Sequence, residues 1–172
     1  MILTGNKIIE EVKNNRIIIE PFNNDAVTTN SYDLTLSDKL VIYTDEILDP
    51  KKEPHTKIVE IPDEGYELKR GEFVLGSSNE FVGSDFYVPI VHAKSSIARL
   101  GLFIHITSGL FDIGCKCNVT FHLYATMPIK LYKNMPIAQL TFWKTLGDIK
   151  LYNGKYQNDH GAVASRIYKD FK

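Results

Sequence analysis

The chain has 172 residues, 44% of them apolar and 24% charged, with 20 basic against 21 acidic side chains and a net charge of −1. That length fits a single domain, here residues 1–172, with enough apolar material for one continuous core. The balanced charge gives no basic face of the kind duplex nucleic acid needs, although a local pocket for a small anion is compatible with it. No apolar run approaches the ~20 residues that cross a bilayer. The opening Met1-Ile2-Leu3-Thr4-Gly5-Asn6-Lys7 lacks the apolar stretch of a signal peptide, so a cytoplasmic setting with reduced thiols is the expectation.

Along the chain, Ile8, Ile9 and Val12 at helical spacing predict a short amphipathic helix over residues 6–15. The β-branched run Ile17-Ile18-Ile19 follows and is ended by Pro21. Short strand candidates then succeed one another over residues 31–36, 39–43, 57–61, 72–77, 87–91, 102–106, 118–125, 129–131 and 137–143. Val119-Thr120-Phe121-His122-Leu123-Tyr124 has the β-branched and aromatic content that strands favour. Gly65, Gly71, Gly83, Gly109 and Gly114 punctuate the series as turns or bulges. Many short strands with little helix predict a mostly β fold, a sandwich, jelly roll or barrel. The Cys…Trp…Cys spacing of an immunoglobulin domain is missing, which favours a jelly-roll-like barrel.

The two cysteines, Cys115 and Cys117, are too close together to staple a fold, and their spacing is tighter than structural zinc sites use, with no second pair. They read as two strand residues on one face, and no metal site is predicted. The stretch Tyr152-Asn153-Gly154-Lys155-Tyr156-Gln157-Asn158-Asp159-His160-Gly161 is polar and turn-rich. It reads as a flap that orders over a ligand, with residues 152–172 as a closing segment, in preference to a frayed tail.

Three places carry candidate chemistry. Lys94-Ser95-Ser96-Ile97-Ala98-Arg99-Leu100-Gly101 follows a strand candidate, with Ser95 or Ser96 as the N-cap of a short helix and Gly101 just past its end. Free N–H groups, two hydroxyls, a lysine and an arginine suit a phosphate or carboxylate, and plain helix capping accounts for the pattern equally well. Asp112, between apolar neighbours and beside a turn, can accept a sugar hydroxyl or poise a water; an Asx-turn explains it as readily. His122 shares a strand face with Thr120 and Tyr124, where a neutral imidazole is a competent base and a satisfied core histidine is the plainer reading.

In order and at compatible spacing, five segments resemble the dCTP deaminase branch of the dUTPase superfamily. They are Glu20-Pro21-Phe22, Ser31-Tyr32-Asp33-Leu34, the Lys94–Gly101 stretch, Asp112-Ile113-Gly114, and the ending with Lys155-Tyr156-Gln157 and Gly161-Ala162-Val163-Ala164-Ser165-Arg166-Ile167. The resemblance implies a distorted β-barrel or jelly roll with short helices, assembled as a homotrimer with sites between subunits. It implies a dCTP or dUTP substrate, with Mg²⁺ carried on the triphosphate. Lys94, Ser95, Ser96, Ile97, Ala98 and Arg99 would then contact the phosphates, with Ser95 and Arg99 orienting the catalytic water. Asp112 would hold the deoxyribose 3′-hydroxyl. Thr120, Phe121 and His122 would border the base, and Tyr152, Lys155, Tyr156 and Asp159 would close over the triphosphate.

The chain departs from the family pattern at telling places. His122 stands where the family's deaminases carry a catalytic glutamate. Lys94 replaces an arginine, which turns a bidentate phosphate contact into a point charge. Cys115 replaces a bulky residue, and Asp159 a glutamine, leaving a negative charge for Lys155 or Mg²⁺ to balance. The leading expectation is deamination of dCTP to dUTP and ammonia, with His122 as base. The alternatives are cleavage of dUTP to dUMP and pyrophosphate with Asp112 at the sugar or water, both reactions together, or nucleotide binding without turnover.

Overall fold

The computed structural model describes residues 1–171; Lys172, the last residue of the expected closing segment, lies outside the described residues. The chain opens with helix α1 (Gly5–Lys13), which turns Ile8 into the core at 0% exposure. Glu11 is equally buried on the same face. A buried carboxylate must be paired, and Glu11 accepts from both Arg16 Nε and Arg16 Nη2, from Lys7 Nζ at 3.0 Å and from the Tyr87 hydroxyl at 2.9 Å. The Arg16 guanidinium, ahead of the other partners, holds its carboxyl down at about 2.

The strands follow in order: β1 (Ile18–Glu20), β2 (Tyr32–Tyr43), β3 (Thr56–Glu60), β4 (Tyr66–Leu68), β5 (Phe73–Gly83) and β6 (Val88–Ala93). After the single-turn helix α2 (Ser95–Ala98) come β7 (Leu102–Phe103), β8 (Lys116–Ala125), β9 (Ile129–Leu131) and β10 (Pro136–Trp143), and a 3-10 turn (Ile167–Phe171) ends the described chain. An 8-stranded sheet runs in the order β6-β10-β2-β5-β8-β7, with β1 on β5 and β3 on β2. Residues 31–36 and 39–43, expected as two strands, are one strand bent by an irregularity between Leu36 and Leu40. The short β4, which the sequence did not announce, pairs with β9 in a separate two-stranded sheet.

The large sheet curls back on itself. Ile90 bridges Leu110, and Val91 N–H donates to the Gly109 carbonyl at 2.8 Å. A Cβ on Gly109 would lie 2.9 Å from the Val91 carbonyl oxygen, so this seam needs glycine. The result is a mostly β, nearly closed barrel, as expected.

Strand β8 alternates without a break. Cys117, Val119, Phe121, Leu123 and Ala125 are buried, while Asn118, Thr120, His122 and Tyr124 face the other way. The inner row packs with Leu34, Leu36, Val74, Leu140 and Phe142 in the core. Where β5 bulges between Ser77 and Phe81, the Ser78 hydroxyl replaces a ladder partner: it accepts from Val119 N–H at 2.8 Å and donates to the Glu80 carbonyl at 2.7 Å.

Candidate functional site

The outer row of β8 forms the floor of a cleft of about 630 Å³, within the range of small-molecule sites. Phe73 and Leu75 of β5 and Tyr43 at the end of β2 extend this floor. One wall is the loop from His105 through Asp112 to Cys115; the other is the C-terminal segment, with Tyr152, Tyr156, Asp159, Val163 and Ser165.

The C-terminal segment is docked along β8. Asn158 N–H donates to the Lys116 carbonyl at 2.8 Å, and Asn118 N–H donates to the Asp159 carbonyl at 3.0 Å. Gly161 N–H bonds Asn118 Oδ1 and Val163 N–H bonds Thr120 Oγ1, each at 3.2 Å. At its start, Tyr152 N–H reaches the Ile113 carbonyl at 2.8 Å. The crossing is close: a Cβ on Gly114, whose φ is +90°, would sit 2.9 Å from Leu151 Cβ.

The charge on Asp159 is balanced inside the segment. Arg166 grips it with two bonds of 2.8 and 2.9 Å, lies over the Tyr156 ring at 5.6 Å and donates to the Lys155 carbonyl. Lys155, the expected counter-charge, pairs with Asp170 instead and does not line the cleft. Arg166 was read only as part of a motif, and its pairing depends on a chain reversal that spacing does not reveal.

Asp112 stands on the cleft wall, and among the described residues its carboxylate takes no hydrogen bond; the turn is closed by Cys115 N–H on the Asp112 backbone carbonyl at 3.0 Å. The carboxylate is therefore available to a ligand rather than spent on an Asx-turn. Cys115 and Cys117 are free and buried behind it, with sulfurs 4.0 Å apart. Their shared hydrogen bond draws the Cys115 thiol down and pushes the Cys117 thiol up.

His122 has two ring neighbours, Phe73, which stacks on it, and His105, which is tilted against it by 49°. The Phe73 ring lies 6.5 Å from it and the His105 ring 4.7 Å, with the two Nδ1 atoms 3.2 Å apart. Burial lowers the His122 imidazole below its ordinary range. Burial and then the neighbouring His122 take His105 down to about 4. Burial thus favours the neutral form of both rings. His105 was not singled out in the sequence; a histidine between Ile104 and Ile106, at the end of a strand candidate, was the available signal.

Two expectations are corrected. Phe121 does not border the cleft: strand alternation sends its ring into the core at 0% exposure. Ser95 and Ser96 are not the N-cap of α2; Lys94 holds that position, and its side chain is paired with Asp33. Gly101 does close the turn, at φ +77°. None of Lys94, Ser95, Ser96, Ile97, Ala98 and Arg99 lines the cleft of its own chain, whereas Asp112, Thr120, His122, Tyr152, Tyr156 and Asp159 all do.

A barrel with a cleft of small-molecule size, an aspartate after its seam whose carboxylate is unbonded among the described residues, and a docked C-terminal strap define a ligand-binding type of site. The family model described as dCTP deaminase-like matches residues 2–145, and the chain belongs to that family. It is 43% identical over 173 residues to the Clostridium beijerinckii protein named dCTP deaminase, dUMP-forming, covering 100% of this chain and 99% of that one. The Cytophaga hutchinsonii protein of the same name is 37% identical, with the same coverage. Among solved structures, 2′-deoxycytidine 5′-triphosphate deaminase from Agrobacterium tumefaciens superposes with a TM-score of 0.65 at 18% identity. That match covers 82% of this chain and 47% of the other, and it supports the fold. No helix among the described residues is long and apolar enough to cross a membrane.

Proposed function

We propose that this chain hydrolyses dCTP to dUMP in two steps, releasing ammonia from the base and then pyrophosphate from the resulting dUTP. The carrying observation is that Asp112, Thr120 and His122 line one nucleotide-sized cleft in a chain 43% identical, end to end, to a relative named for dUMP formation. This extends the expectation of dUTP as the product, because the second hydrolysis belongs to the relatives' name.

In this reading the pyrimidine lies over the face that carries Phe73, Thr120 and His122, and Asp112 accepts the deoxyribose 3′-hydroxyl. Thr120 lies beside the base, and Tyr152, Tyr156 and the Asp159–Arg166 pair cover the phosphates. At C4 of cytosine a water adds and the amine leaves as ammonia, so the net demand is one water and no redox partner. The second water cuts the α–β phosphate bond. The cleft's carboxylates, Asp112 and Asp159, stand singly, and no group of three His, Cys, Asp or Glu side chains among the described residues is placed to hold a metal. That donor set suits a Mg²⁺ that arrives on the triphosphate and shields its charge.

The phosphate-binding stretch Lys94–Arg99 would come from a neighbouring copy. Leu100, Phe103, Ile106 and Leu110, near α2 and in the adjoining loop, expose 58%, 47%, 51% and 63% of their surface, and this exposed apolar surface supports such an assembly. The expected state is a homotrimer, read by light scattering. The activity test is ammonia and pyrophosphate release from dCTP and, separately, from dUTP with Mg²⁺. Both products from dCTP are expected. Pyrophosphate from dUTP with no ammonia from dCTP would reduce the protein to a diphosphatase, and inert nucleotides would remove the catalytic reading.

A further inference from the structure

The histidine pair at the back of the cleft carries information about protons that neither histidine carries alone. His105 Nδ1 and His122 Nδ1 are 3.2 Å apart. A hydrogen bond between two ring nitrogens requires one to hold a proton and the other to present a lone pair. The remaining nitrogen of His105, Nε2, is buried and has no hydrogen-bond partner among the described residues. The remaining nitrogen of His122 belongs to a residue that lines the cleft.

Two arrangements of one bridging proton satisfy the contact. If His122 donates, neutral His105 must carry its proton on Nε2, leaving an N–H buried without an acceptor. If His105 donates, its Nε2 is a bare lone pair, and His122 carries its own proton on Nε2. Among backbone groups, orphaned buried N–H donors are rarer than under-satisfied carbonyl acceptors, and we extend that order to the two ring nitrogens. The second arrangement is therefore favoured. The orphan nitrogen of His105 thus decides which atom of His122 faces the ligand as a donor.

We infer that His105 is a positioning residue: by donating Nδ1–H to His122 Nδ1 it fixes His122 as the Nε2–H tautomer, a hydrogen-bond donor aimed at an acceptor on the pyrimidine edge. This rests on the proposed binding of a pyrimidine in the cleft. It changes the role expected for His122, because a ring that presents N–H to the substrate does not begin the reaction as the base. Beside O2, which accepts in both bases, the acceptors on the C4 side are N3 of a cytosine and O4 of a uracil, so one donor can hold the base before and after deamination. The pair is also braced: His122 N–H donates to the Ile104 carbonyl at 2.9 Å, which ties the His105 loop to β8. The other titratable groups lining the cleft are Asp112, Asp159, Cys115, Cys117, Tyr43, Tyr152 and Tyr156. Among the described residues none of them hydrogen-bonds the ring of either histidine, and Asp159 is held by Arg166.

The test is ¹⁵N–¹H correlation spectroscopy of histidine-labelled full-length protein at pH 8, on wild type, His105→Phe and His105→Asn, with dCTP affinity measured by calorimetry on the same samples. Asn places an amide N–H close to the Nδ1 position, and Phe keeps the ring without a donor. The expected result is His105 as the Nδ1–H tautomer, the less common one for free histidine, and His122 as Nε2–H. His105→Phe gives His122 a mixture of tautomers and about tenfold weaker dCTP binding, and His105→Asn restores both. Finding His105 as Nε2–H, or an unchanged His122 tautomer in a folded His105→Phe protein, overturns the inference. If wild type shows these tautomers but binds neither dCTP nor dUTP, the functional proposal fails while the tautomer assignment stands.

Discussion

Replacing Arg166 by Ala tests whether the C-terminal strap is part of the binding site. Arg166 makes two charge-assisted bonds to Asp159, and the two side chains are 29% and 17% exposed. Bonds to charged groups contribute about 1.5–3 kcal/mol each when well shielded. Partial exposure and the flexibility of a terminal segment discount the pair to about 1–2 kcal/mol in total. At 1.4 kcal/mol per factor of ten, Arg166→Ala should weaken dCTP binding by roughly 5- to 30-fold. Part of this loss is the bare Asp159 carboxylate left facing the cleft beside an anionic ligand. Removing that charge as well should recover part of the affinity, so Asp159→Asn with Arg166→Ala should bind better than Arg166→Ala alone. Calorimetric titration of dCTP into the four proteins of this cycle reads the effect. Equal affinity in wild type and Arg166→Ala, or a double variant no better than the single, would refute the reasoning.

The core and the helix offer independent checks. Phe121→Ala deletes a ring of 0% exposure and should cost about 3–5 kcal/mol, read as a large drop in melting temperature in the absence of nucleotide. A small drop would mean that the ring lies in the cleft after all. Glu11 has its carboxyl depressed from 4.5 to about 2. A depressed acid contributes stability above its unfolded value, and that stability is lost as pH falls through the folded one. The stability gap between wild type and Glu11→Gln, measured by urea unfolding, should therefore be full at pH 6 and shrink between 4.5 and about 2. A gap independent of pH across that window contradicts the buried pairing.

The elements that local pattern controls were legible in advance. The period-2 alternation of residues 118–125 announced β8 and placed Thr120, His122 and Tyr124 on one face, and the Ile8 and Val12 spacing announced α1. That same alternation had already turned Phe121 away; assigning it to the base came from the family pattern, and the strand geometry overrides it. What spacing does not encode are partners distant in sequence. Glu11 is buried because Arg16 curls back to it and Tyr87 reaches it across 76 residues. His105 reaches His122 only because β7 returns alongside β8. Ser37 and Asp38 fall between the two strand candidates 31–36 and 39–43, yet the chain passes through them as one bent strand. The Lys94–Arg99 stretch was legible as a motif, but its sequence does not tell that the fold leaves it out of the cleft lining of its own chain.

The most direct measurement is a crystal structure of the protein with a non-hydrolysable dCTP analogue and Mg²⁺. The account predicts the pyrimidine edge against His122, the 3′-hydroxyl on Asp112, and the phosphates between the strap of one copy and the Lys94–Arg99 turn of the next. A nucleotide bound away from His122 and Asp112, or a cleft left empty at saturating analogue, would contradict it.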